Sequence, residues 1–107
     1  MLYKFKSKDS ADVIMLSPAG DQLLTLLGRG PSAKGIVEVT DLPASMLALE
    51  RAIADDEAVW AQLQADAKAD GKLLPARNGV TLRQRAWPLL EMMRRAHAHQ
   101  HPVMWGV

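Results

Sequence analysis

The sequence predicts an α+β fold in which a small, mainly antiparallel sheet is covered by three to four helices. Three observations carry this prediction. Residues 2–7 alternate with a period of two and, after a turn, an apolar run follows at residues 13–16, which together read as a hairpin. Later stretches repeat apolar residues every three to four positions, the period of helices with one buried face. Short apolar or β-branched runs at residues 36–39 and 103–107 supply further strands. The order strand, strand, helix, strand, helix, helix, helix, strand sets this class and leaves the strand order open. At 107 residues the chain has the length of one such domain, so residues 1–107 are expected to share a core.

Leu2 to Ser7 places Tyr3 and Phe5 on one face and Lys4 and Lys6 on the other, and the lysines suit a sheet edge. After a turn at Ser7 to Ser10, Val13-Ile14-Met15-Leu16 is apolar on both faces, which predicts a central or doubly covered strand. Ser17-Pro18 predicts a helix start, with Ser17 as cap and Pro18 at the first helical position. Leu23, Leu24 and Leu27 form its apolar face and Gly28 its stop. Arg29-Gly30-Pro31-Ser32 breaks the chain before a third strand, Gly35 to Val39.

Thr40 or Asp41 caps the next helix, whose stripe is Leu42, Met46, Leu49 and Ile53. Asp55 to Asp70 has high helix propensity, with Val59, Trp60, Leu63 and Ala67 on one side, and either continues that helix or bends away from it. Gly71 to Gly79 holds glycine, proline and Asn-Gly signals and predicts a mobile loop. Thr81 caps the last helix, with Leu82, Ala86, Leu89, Met93 and Ala96 as its buried stripe. Pro88 removes a hydrogen bond to the Gln84 carbonyl, so a kink or a two-piece helix is expected. Val103 to Val107 predicts a strand docked in the sheet, because Trp105 and its apolar neighbours would otherwise face water.

The absence of cysteine removes disulfides, thiol nucleophiles and cysteine metal sites together, and fits a reducing cytoplasm. The N-terminus lacks the unbroken apolar run of an export signal, and no apolar run is long enough to span a membrane. The net charge of +1 hides a polarity: residues 41–70 carry 2 basic and 7 acidic groups, and residues 71–107 carry 6 and 1. The two segments either face each other or leave a basic surface free for an anion.

Candidate functional groups cluster in the last third of the chain. His97, His99 and His101 offer nitrogen ligands for a metal, although three imidazoles make at most a partial site without carboxylates or a second chain. As helix-end histidines they would instead complement the helix dipole. Arg83, Arg85, Arg94 and Arg95 are candidate binding residues. On one helix Arg83 and Arg94 share an azimuth, Arg95 lies about 100° further round and Arg85 beyond that, so they form no single stripe. Nucleic acid is not the expected partner, because such a footprint is denser in positive charge. Glu91 and Arg95 are spaced for an ion pair. Trp87 falls off the apolar stripe beside Arg83, placed for a cation–π contact and for a protein partner or a second subunit. No phosphate-binding glycine loop, nucleophile elbow or His-Glu-x-x-His motif occurs, so no catalytic residue and no cofactor is assigned.

Several stretches together carry a resemblance: Met1 to Ser7, Asp12 to Leu16, the run Leu82-Arg83-Gln84-Arg85-Ala86-Trp87-Pro88, and the closing Trp105-Gly106-Val107. They resemble a family of short proteobacterial proteins known as domain of unknown function number eighteen-forty. The resemblance spans the chain and implies a bacterial, cytoplasmic protein. It brings no activity, ligand or catalytic residue with it. The expected function is that of an accessory or protein-interaction module centred on Trp87 and its arginines. A small-anion-binding regulator using the same arginines is the alternative, and a metal-assisted enzyme using the histidines is a further one.

Overall fold

The computed structural model of the protein describes residues 2–72 and 81–106. Its first elements are the expected hairpin. Strand β1 (Leu2–Ser7) pairs antiparallel with β2 (Ser10–Leu16), setting Leu2 opposite Leu16 and Phe5 opposite Val13. Helix α1 (Ser17–Leu26) follows at once. Ser17 and Pro18 both stand inside its first turn with Leu16 in the cap position, a boundary one residue earlier than the Ser-Pro signal predicts. Gly28, at φ +82°, ends the helix, donating its N–H to the Thr25 carbonyl at 2.9 Å.

Strand β3 (Gly35–Val37) is shorter than the expected strand at 36–39. Val39 leaves it because the chain tightens there into a 3-10 turn, Val39–Asp41, which leads directly into α2. Helix α2 (Leu42–Ala69) is one element of 28 residues, so the acidic stretch continues the helix instead of bending away. Its buried side is Leu42, Ser45, Leu49 and Ile53, with Met46 partly covered. From Ala54 onward none of its residues is fully buried, and this projecting part gives the molecule its 51 Å long axis. The expected mobile loop begins at Gly71 and Lys72; its remainder, residues 73–79, lies outside the described residues.

Helix α3 (Leu82–Ala98) opens on a reciprocal cap: the Gln84 N–H donates to Thr81 Oγ1 at 3.1 Å, and the Thr81 N–H donates to Gln84 Oε1 at 2.9 Å. The helix runs as one element through Pro88, so of the expected kink or two pieces the two-piece form is excluded. Leu82 and Ala86 before the proline and Leu89, Leu90, Met92 and Met93 after it, all buried, hold both turns around it in one packed unit. A turn through Gln100, at φ 60°, leads to β4 (Val103–Trp105).

The sheet order is β2-β1-β4-β3 and all three pairings are antiparallel. The chain's last strand is therefore central, and β1 is an interior strand with β2 at the edge, the reverse of what their composition predicts. Although apolar residues occupy both faces of β2, its outer face is uncovered: Ile14 and Leu16 remain 56% and 67% exposed. Helices α1 and α3 cover the other face, and α2 packs on them in turn. Tyr3, Phe5, Trp105, Leu23, Leu24 and Leu89 form the centre of the core.

Within that core the Tyr3 hydroxyl donates to the Asp21 carboxylate on α1. Tyr3 can approach α1 only because residue 20 is glycine; a Cβ there would lie 2.0 Å from the Tyr3 ring. The bond to Asp21, followed by burial, raises the Tyr3 pKa above the ordinary 10.0. The folded protein holds this proton more tightly than the unfolded chain does. Its contribution is complete below pH 10.0 and is lost as the pH rises through the higher folded value. The urea midpoint of the wild type should thus fall as pH rises past ~10, and a Tyr3→Phe variant should show a shallower fall. Equal slopes in the two proteins would remove Tyr3 as the cause.

Candidate functional site

The surface of interest lies where α3 meets α2. On α2, Glu50 and Glu57 are seven residues apart and share a face. On α3, Arg83 and Arg94 are eleven apart and share another, with Trp87 between them. The antiparallel packing of the two helices joins these rows. Arg83 Nε donates to Glu57 Oε1 at 3.0 Å, and Arg94 Nη2 donates to Glu50 Oε1 at 3.3 Å while its Nη1 reaches Glu91. Acidic middle and basic end therefore do face each other here.

Trp87 is held by the same two arginines. The Arg94 guanidinium carbon stands 5.0 Å from the centroid of the indole and that of Arg83 6.0 Å, within cation–π range. The ring keeps 41% of its surface exposed and borders an open hollow with Arg83, Gln84 and Pro88. The hydrogen bonds that Arg94 donates to Glu91 and then to Glu50 push its pKa further up, so the cation beside the ring persists at any pH that leaves the fold intact.

The structure thus separates the five predicted binding residues. Arg83, Trp87 and Arg94 come together. Arg85 turns to α1, where it donates to Gln22 Oε1 at 3.0 Å. Arg95 lies on the opposite flank of α3, beside β2. Glu91 pairs with Arg94, one residue closer, in place of the expected Arg95. Sequence reasoning missed Glu50 and Glu57, whose seven-residue spacing on a long helix was the available signal.

The three histidines do not converge. His97 is in α3, His99 ends it, and His101 follows the turn, its Nδ1 2.8 Å from Asp9 Oδ2 in the hairpin. Among the described residues no three His, Asp or Glu side chains are grouped so as to hold a metal ion. Likewise no helix among them is long and apolar enough to cross a membrane.

Fold and surface together define a small α+β protein whose exposed tryptophan is braced by two carboxylate-bound arginines. The chain belongs to the family described as Domain of unknown function (DUF1840), which matches residues 1–105. No curated protein and no solved structure matches it.

Proposed function

We propose that this chain is a protein-interaction module, an accessory protein of the bacterial cytoplasm, whose anchor is Trp87. The observation that supports this reading is an exposed indole fixed in place before any partner arrives. Trp and Arg are the residues that most often dominate binding energy at protein interfaces, and a ring already held still loses little entropy on docking. The anion-binding alternative has less support. Arg83 and Arg94 are matched against Glu50, Glu57 and Glu91, two positive groups against three negative. A phosphate arriving there would have to displace carboxylates from both arginines.

A peptide library selected on the immobilised protein provides the test. Peptides that bind through this surface should lose about 2 kcal/mol, roughly a 30-fold weaker Kd, against Trp87→Ala. That variant should melt close to the wild type because its ring is half exposed. Selected peptides that bind both proteins equally would defeat the reading. A rise in Tm with inorganic phosphate, abolished in Arg83→Ala, would favour the anion alternative.

A further inference from the structure

We propose that a second copy of this chain docks antiparallel along β2, joining two four-stranded sheets into one of eight strands. The inference rests on the two sheet edges and is independent of the Trp87 surface. The edge at β3 is three residues long and flanked by Pro31 and Lys34 before it and a 3-10 turn after it. Short length, proline and lysine are the usual guards against unwanted strand pairing. The edge at β2 has seven residues, no proline and no lysine, and Asp12 is its sole charge. Its register with β1 is regular from Val13 to Leu16, with the irregularity confined to the hairpin end. An edge that is long and unguarded offers main-chain N–H and C=O groups that a strand satisfies best.

The side chains along this edge fit a copy of themselves. Ile14 and Leu16 are joined on the outer face by Leu2, the cross-strand partner of Leu16, which is 60% exposed. Beside the strand, β2 and α3 form a hollow lined in part by Asp12, Pro88, Met92 and Arg95. Asp12 and Arg95 make no ion pair with any described residue. In a two-fold interface each patch meets itself, so every contact recurs with the roles exchanged. Opposite charges on one patch suit that symmetry: Asp12 of each copy faces Arg95 of the other. A partner of a single charge would satisfy one of these groups and repel the other.

Light scattering at about 100 μM protein, well above the Kd of a useful dimer, should give twice the 11.7 kDa of the chain. Backbone amides of residues 10–16 should gain protection from hydrogen exchange as concentration rises. Ile14→Lys, at an exposed position, should retain the far-ultraviolet circular dichroism of the wild type and give the monomer mass. Asp12→Arg and Arg95→Asp should each weaken the dimer about 10-fold, and together restore it to within about threefold. A wild-type monomer at that concentration overturns the proposal, as does a dimer that survives Ile14→Lys. A dimer lost in Trp87→Ala but kept in Ile14→Lys would also overturn it, moving self-association to the Trp87 surface.

Discussion

Trp105→Ala should cost the fold about 3–5 kcal/mol, the range for removing a fully buried aromatic ring. Only 2% of Trp105 is exposed. Its ring centroid lies 5.8 Å from that of Phe5, and its Nε1 donates to the Ser32 carbonyl at 3.0 Å. The indole also lies against Gly35, where a Cβ would stand 2.3 Å from it. Because β4 is the seam between β1 and β3, the cavity left by the ring would loosen both pairings at once. The loss compares with a total stability of roughly 5–15 kcal/mol for proteins of this kind. A large fall in the urea midpoint checks it, with Trp87→Ala as the internal comparison. If the half-exposed and the buried tryptophan cost the same, the core assignment is wrong.

The contrast between these tryptophans marks how far the sequence could be read. Local signals were dependable wherever neighbours in the chain decide the outcome. The alternation of Tyr3 and Phe5 gave the buried face of β1, and Thr81 with Gln84 gave the start of α3. The off-stripe position of Trp87 and the shared azimuth of Arg83 and Arg94 also followed from helix geometry alone.

What could not be read were properties decided by distant segments. Apolar residues on both faces of β2 look the same whether the second face meets a helix or stays open, so the sequence mistook an edge for a centre. Similarly, the lysines of β1 mark a solvated outer face and say nothing about which strand lies alongside. Val103–Trp105 could be recognised as a strand, but its insertion between β1 and β3 depends on pairings about a hundred residues and about seventy residues away. Pro88 breaks the helix only by local rules; packing on both sides of it kept α3 whole. The carboxylates opposite Arg83 and Arg94 belong to another helix, and their match required knowing that α2 continues as one helix past Glu57.

The second large effect is expected at Gly106, where two requirements for glycine coincide. Its φ of +75° is a conformation that costs an ordinary residue about 1–2 kcal/mol. A Cβ there would also lie 2.2 Å from the Ala33 carbonyl oxygen and 2.6 Å from the Lys34 Cα, both main-chain atoms that no rotamer change can move. Relieving that overlap means shifting the segment before β3, where Gly35 pairs with Trp105. With an overpacking cost of about 1–3 kcal/mol, Gly106→Ala should lose roughly 2–5 kcal/mol, a Tm fall on the order of 10–30 °C. Gly30 separates the two contributions, having a φ of +74° with nothing within 4 Å of the added Cβ. Gly30→Ala should therefore show the dihedral cost alone, about 1–2 kcal/mol. Equal losses in the two variants would mean that the segment before β3 yields freely, and that close packing of the last strand against it is not what requires glycine at position 106.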